Sequence, residues 1–258
     1  MKTLPAHPQW IVPDWPAPAK VRAMITTRAG GVSTGPFGAE SGGGGMNLGL
    51  KSGDAIETVQ ANRARLRAVL PEEPRWLQQV HGAKVANVDD DRALAPADGA
   101  ISLQPGRVCV VSIADCLPVL FADRAGRAVG VAHAGWRGLA AGIIQNTAAA
   151  MRARLGDGDA VLLAYLGPAI GPVHFEVGAE VLAAMSKRLP QAADAFRPFN
   201  HGKYLCDLFA LARQALAQVS ITRVVGGSDC TYSDAMRFYS YRRDKITGRH
   251  AALIWIES

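Results

Sequence analysis

Two apolar runs joined by a very short turn constrain this chain more than any other feature. Val119–Asp123 and Ala128–Ala132 flank Arg124-Ala125-Gly126-Arg127. A connection that tight, with glycine late in it, makes a hairpin of two antiparallel strands. A turn that closes Asp123 onto Gly126 sets Cys116 opposite His133, and a loop one residue longer moves this by one position. Opposed residues have Cβ atoms roughly 4.5–5.5 Å apart, close enough for both to reach one ion. Pro118 argues for a splayed ladder near Cys116, because proline removes a hydrogen bond from it. The rival reading is a buried structural cysteine beside a satisfied core histidine. Spacing leaves both open.

The rest of the chain sets the frame. Its 258 residues, 49% of them hydrophobic, suit one large globular domain over 1–258, with 1–19 as an extended, proline-rich lead-in whose tryptophans pack on the body. No apolar run approaches the roughly 20 residues that span a bilayer. Prolines interrupt MKTLPAHPQWIVPDWPAP where a signal peptide needs an apolar core, so a cytoplasmic location is expected. Cys109, Cys116, Cys206 and Cys230 form no CxxC pair and read as reduced thiols. The formal charge is +6, with basic residues concentrated only in RFYSYRRDK (237–245). A solvated strand end or loop is the first reading there; a basic pocket for an anionic small molecule also fits, and nucleic acid is disfavoured.

Hydrophobic spacing predicts strands at Lys20–Thr27, Trp76–Val80, Lys84–Val88, Val108–Ile113, Val161–Leu166, Ile221–Val225 and Ala251–Ile256, besides the hairpin. Gly30–Gly49 reads as a long loop. Its Gly42–Gly45 run lacks the flanking strand, Lys-Ser/Thr and helix start of a phosphate loop. Asp54, with Glu57 three residues on, reads as a capping box that starts a helix. Further helices are expected at Gly138–Leu155, Gly178–Leu189 and Tyr204–Val219. Consecutive short strands favour antiparallel pairing, so the class is mixed α/β and not Rossmann.

A catalytic zinc takes three protein ligands and leaves one position open. Cys116 and His133 offer two. Among the other histidines, His81 in LQQVHGAKV sits at a bend after a strand, which would hold its ring rigidly. Larger segments then become recognisable. TTRAGGVS, MNLGLKSGD, QQVHGAKV, ADG, ADCLPVLFAD, AHAGWRG, GPAIGPVHFEV and FYSYRRDKITGR, in that order, closely resemble the YfiH family of polyphenol-oxidase-like, laccase-domain proteins. The likeness runs from about residue 20 to the C-terminus. It implies a layered α-β-β-α fold with largely antiparallel or mixed sheets, and a catalytic zinc site at His81, Cys116 and His133. It also implies phosphorolysis of adenosine, inosine and S-methyl-5'-thioadenosine, with adenosine deamination as a further activity. FGAESGGGGMN departs from the family by its length and glycine content, which bears on the pocket lid and on the role of Asn47.

Each chemistry asks for particular residues. Deamination needs a proton shuttle near the metal, and Asp115 and Glu176 are the candidates. Their plainer readings are a turn-forming aspartate and a charge near a helix start. Phosphorolysis needs a grip on phosphate, for which arginine forks suit; Arg28 and Arg137 follow strand ends beside the site. Either arginine can instead be a surface ion-pair partner. Purine nucleoside and phosphate are thus the expected partners, with no membrane, in a monomer or small homo-oligomer. Zn2+ is the expected ion, with Cu2+ as a substitute. Three rivals stand beside this. A copper-dependent polyphenol oxidase would want more imidazoles than six histidines supply. A metal-free hydrolase would use Cys116 as nucleophile and His133 as base, and a peptidoglycan-editing role belongs with it. A structural zinc would recruit Cys109 or Cys230 as a fourth ligand.

Overall fold

The computed structural model describes residues 7–39, 43–90 and 94–257. Two sheets face each other. The first has the order β1 (Val21–Ile25), β15 (His250–Ile256), β7 (Cys109–Ile113), β4 (Arg75–Trp76). The second runs β14 (Val224–Gly226), β10 (Leu162–Leu166), β8 (Leu117–Asp123), β9 (Val129–Ala134), β6 (Gly99–Ser102), β5 (Val85–Asn87). A small sheet orders β11 (Glu176–Val177), β13 (Tyr204–Cys206) and β12 (Phe196–Pro198), and β2 (Ala29–Gly31) pairs with β3 (Gly44–Gly45). The helices are α1 (Ile56–Arg67), α2 (Trp136–Ala141), α3 (Ile143–Leu155), α4 (Ala179–Ser186), α5 (Leu208–Gln218) and α6 (Tyr241–Asp244).

Strand parity builds the layers. Successive side chains on a strand point to opposite faces. Val111, Ala252 and Ile254 of the first sheet thus meet Leu120, Val129 and Val131 of the second in a core between the sheets. The alternate residues Val110, Leu253 and Trp255 pack outward with Leu66 of α1. On the far side, Val119, Phe121 and Ala132 pack with Ile144 and Met151 of α3 and Leu211 of α5. The stack is α-β-β-α, as expected, with mixed pairing. Most ladders are antiparallel, while β4 on β7, β5 on β6 and β14 on β10 are parallel. Both faces of the main strands are covered, so the second sheet reads as unbroken apolar runs. Each fully buried aliphatic side chain in it contributes about 1.5–3 kcal/mol. Trp10 packs on the body: it is buried, and its indole N–H donates to the Ala29 carbonyl at 3.0 Å.

Several local expectations are corrected. Gly30–Gly49 is not all loop, since β2 and β3 form a short ladder; Gly42 lies outside the described residues. Helix α1 starts at Ile56, not at Asp54, whose carboxylate instead accepts from Ser33 and Asn47. The helix expected over Gly138–Leu155 begins at Trp136 and breaks at Gly142, where φ is 90°. That left-handed conformation suits glycine and ends the first helix. Tyr204–Cys206 is a strand rather than the first turn of a helix, because Asp207 caps α5 by accepting from the Ala210 N–H.

Topology decides where a site can form. β4 and β7 run parallel, so both leave the first sheet at the same end. Each then crosses to the second sheet, β4 through the His81 bend to β5, and β7 through Ala114-Asp115-Cys116 to β8. β9 arrives at that end too, since Ala134 pairs with Leu117 at the start of β8. Three chain segments therefore converge at one end of the sandwich.

Candidate metal centre

The expected strands Trp76–Val80 and Lys84–Val88 are only β4 and β5, and they lie in different sheets. Two side chains explain the departure. Gln79 takes over the ladder with its own amide, donating to the Ser112 carbonyl at 2.9 Å and accepting the Ser112 N–H at 2.7 Å. Asp98 then gathers the N–H groups of Val80, His81 and Gly82 at 3.1, 2.9 and 2.7 Å. Those three bonds hold His81 at φ 60°, a conformation that costs a non-glycine residue on the order of 1–3 kcal/mol unless its surroundings enforce it.

The hairpin exists, but its register differs from the expected one. Pro118, not Cys116, is paired with His133, and Leu117 with Ala134. Cys116 therefore comes next to Gly135, and its sulfur packs there. The displacement is two residues, so Cys116 and His133 keep the same face of the sheet and become diagonal neighbours. The donor atoms of His81, Cys116 and His133 all lie within 4.8 Å of one another. The two imidazoles meet edge to face, with ring centres 4.9 Å apart. His133 is buried, Cys116 partly exposed and His81 exposed, so the cluster opens to one side.

Asp98 has a second task that sequence reading missed. It is fully buried, and Oδ1 lies 2.9 Å from His133 Nδ1. That bond orients the ring and leaves its other nitrogen for an ion, the arrangement that metal-binding histidines commonly have. Burial opposes charge on Cys116, His133 and Asp98. Against it, the His133 and His81 rings draw the Cys116 thiol down to about 6, and Cys116 with Asp98 draws His133 up to about 9. Hydrogen bonds from His133, Gly82 and Val80 likewise outweigh burial at Asp98 and lower its pKa. A thiolate with two imidazoles is a donor set that suits zinc and also copper. The four-ligand alternative finds no support: Cys109 is buried among the residues between the sheets, and Cys230 accepts hydrogen bonds from Gly171 and Ser233.

Comparison with known proteins bears on this arrangement. Residues 22–257 match a family described as multi-copper polyphenol oxidoreductase laccase. A purine nucleoside phosphorylase of Escherichia coli, named YfiH, is 48% identical over 250 residues, covering 95% of this chain and 98% of its own. This chain belongs to the YfiH family. A purine nucleoside phosphorylase of Pseudomonas aeruginosa is also 48% identical, over 96% of this chain and 98% of its own. Among YfiH-like structures, a Neisseria meningitidis protein superposes with a TM-score of 0.88 at 45% identity, covering 97% of this chain and all of that one. YlmD of Geobacillus stearothermophilus gives 0.82 at 31% identity, over 93% of each chain.

The cluster floors a cavity of about 980 Å³. Trp76, Trp136, Phe175 and Tyr241 supply aromatic wall, and five cations, Lys51, Arg63, Arg137, Arg242 and Arg249, line it with Asp115 as the one carboxylate. Of the other sequence-derived candidates, Arg137 stands at the rim over the Trp136 ring. Asp115 is in the lining, but both its oxygens already accept, from Thr231 Oγ1 and from the Arg242 N–H, each at 2.6 Å. Arg28 is not beside Arg137. It is buried, outside the lining, and its guanidinium donates to the carbonyls of Gly38, Pro36 and Ala235. Glu176 also lies outside the lining, paired with Lys203. Asn47 is fully buried and braces the 47–54 loop through Ser52 and Asp54. The basic segment 237–245 is mostly self-satisfied: Arg237 pairs with Asp229, and Arg243 with Asp244. Only Tyr241 and Arg242 of it line the cavity.

Proposed function

We propose that this YfiH-family protein is a zinc-dependent purine nucleoside enzyme. It cleaves adenosine, inosine and S-methyl-5'-thioadenosine with phosphate, giving free base and the ribose or methylthioribose 1-phosphate, and it also deaminates adenosine. The observation that carries the reading is the lining, where five cations and one carboxylate surround an aromatic-walled cavity above the His/Cys/His cluster. The names of the relatives, purine nucleoside phosphorylases nearly half identical along almost the whole length, support the same chemistry.

His81, Cys116 and His133 would hold the ion, which when bound supplies Lewis acidity at the cavity floor. The chain's own residues do the rest. The aromatic wall offers flat surfaces for a purine. The cationic lining receives phosphate, with Arg137 presenting its guanidinium from the rim. In phosphorolysis a phosphate oxygen bonds to C1′ as the C1′–N9 bond breaks, and the bonding pair leaves with the base. Asp115, as the one lining carboxylate, is the group to relay a proton to the leaving base or, in deamination, to the departing amine. The decisive experiment feeds adenosine to zinc-loaded protein with and without phosphate. Adenine formed only with phosphate establishes phosphorolysis, and inosine formed in either case establishes deamination. The absence of both products would overturn the proposal.

One observation favours a second reading. Cys116, His133 and Asp98 stand in line as nucleophile, base and orienting acid do in a metal-free hydrolase. Metal analysis separates the two, because a thiol that alkylates rapidly in active, metal-free protein supports the hydrolase. A copper oxidase draws on the family description. The described residues gather one His/Cys/His group, donors for a single ion, which fits copper as an occupant of the zinc site better than a multinuclear centre.

A further inference from the structure

Arg249 lines the cavity with the His/Cys/His cluster and has unused hydrogen-bonding capacity. Arg249 immediately precedes β15, whose first residue, His250, pairs with Ile113 at the end of β7. From Ile113 the chain passes through Ala114 and Asp115 to Cys116, so the same topology that gathers the three donors delivers Arg249 to them. Its backbone is clamped: the N–H donates to Asn47 Oδ1 at 2.9 Å, and the carbonyl accepts the Leu48 N–H at 3.0 Å. Its side-chain stem then passes over Gly49. A Cβ on Gly49 would stand 2.6 Å from Arg249 Cγ and 3.0 Å from its Cβ. These atoms are the root of the side chain and cannot swing aside as its tip can. MNLGLKSGD therefore has a physical role: Asn47 and Gly49 seat this arginine.

The guanidinium is only partly satisfied. Nη1 donates to the carbonyls of Thr247 and Gly248 at 3.0 and 2.9 Å, and the group lies 5.8 Å from the centre of the Tyr241 ring. Nε and Nη2 have no partner, and no carboxylate is paired with the group, among the described residues. Among the other lining arginines, Arg63 gives Nε and Nη2 to the Leu48 carbonyl and lies over Trp76. Arg242 gives Nη1 to the Glu176 carbonyl and lies over Phe175, with Nε and Nη2 likewise unpartnered among the described residues. Withdrawing a guanidinium from water without a counter-ion is costly. Burial pushes Arg249 below its usual value, and Cys116, Asp115 and Tyr241 restore part of that. A ligand oxyanion would supply the missing partner, and arginine's remaining donors suit two oxygens at once. Purine nucleosides are uncharged, so phosphate is the anionic reactant.

We infer that Arg249 binds the phosphate co-substrate at the inner end of the cavity, with Asn47 and Gly49 as its structural seat. The inference rests on the phosphorolysis reading but is testable apart from it. Inorganic phosphate alone is titrated calorimetrically into zinc-loaded wild type, Arg249→Lys, Arg249→Met and Gly49→Ala. Phosphate dependence of adenine release is measured on the same samples. Arg249→Met should weaken phosphate binding about tenfold to a hundredfold, the scale of a charge-assisted hydrogen bond. Lysine should recover part of this, and Gly49→Ala, which deletes no polar group, should move in the same direction. Zinc content should stay stoichiometric throughout. Unchanged phosphate affinity in Arg249→Met and Gly49→Ala would overturn the inference, as would wild type that binds no phosphate. Loss of zinc alongside phosphate would also overturn it, by showing that Arg249 serves the metal cluster. Wild type that binds phosphate but releases no base would refute the phosphorolysis reading, while the variants' affinities still decide the role of Arg249. Should Arg249→Met fail to fold, Gly49→Ala and Arg249→Lys carry the test.

Discussion

Asp98 links backbone to chemistry through one carboxylate. It holds the bend that presents His81 and orients the ring of His133. Asparagine keeps its size but cannot accept at both oxygens. Asp98→Asn should therefore weaken zinc binding about tenfold to a hundredfold, the usual cost of losing such an orienting partner. Competition with a chromophoric chelator measures this, and an unchanged affinity would remove Asp98 from the site. Cys116→Ala should lose stoichiometric zinc with little change in melting temperature relative to metal-free wild type, because Cys116 lies outside the apolar cores. Full zinc occupancy in that variant would show that Cys116 is not a ligand. Cys116 and His133 were legible in sequence as candidate donors near a hairpin. Asp98 was visible only as part of ADG, since nothing in that tripeptide announces that its side chain will bind a loop sixteen residues earlier.

At the scale of elements, the hairpin shows what local sequence can and cannot settle. Its existence follows from two apolar runs and a short turn. Its register does not, because the Asp123 N–H pairs with the Ala128 carbonyl while the Asp123 carbonyl accepts from Gly126. The Asp123 side chain completes the turn, accepting from Arg127 N at 3.1 Å and from Arg127 Nε at 2.8 Å. Asp123→Asn weakens both bonds, so unfolding in urea should become easier by about 1.5–3 kcal/mol, the range for bonds to a charged group. Zinc stoichiometry should not change, because the ladder beyond the turn persists. A variant as stable as wild type would show that the backbone alone makes the turn.

At the scale of the whole molecule, His250 ties the central strand β15 to the segment that carries Tyr241 and Arg242 into the cavity lining. It is fully buried, and its Nε2 accepts the Tyr239 N–H at 2.7 Å. Burial holds its pKa down to about 3, against about 6.5 in an unfolded chain. As pH falls the unfolded state takes up this proton first. The stabilisation is therefore complete above about pH 6.5 and is lost progressively as pH drops towards 3. In metal-free protein, the unfolding free energy of wild type should decline more steeply over that interval than that of His250→Gln, which never charges. Parallel curves would show that His250 does not govern acid stability.

The run of consecutive short strands by itself favoured antiparallel or mixed pairing over a Rossmann arrangement. The unbroken apolar runs Val119–Asp123 and Ala128–Ala132 marked buried strands, and the structure covers both of their faces. The candidate donors were legible too, because thiol and imidazole chemistry belongs to the side chain and survives any register. Only the tertiary structure decided how they meet. Whether β4 and β5 form one hairpin or enter two sheets depends on Gln79 replacing a ladder and on Asp98 turning the chain. Whether a basic residue reaches the cavity depends on long-range pairing, which leads Arg28 to backbone carbonyls and Arg249 to the metal cluster. Side-chain identity is local and can be read along a line, whereas convergence depends on pairings between residues far apart in the chain, which only the folded sheets establish.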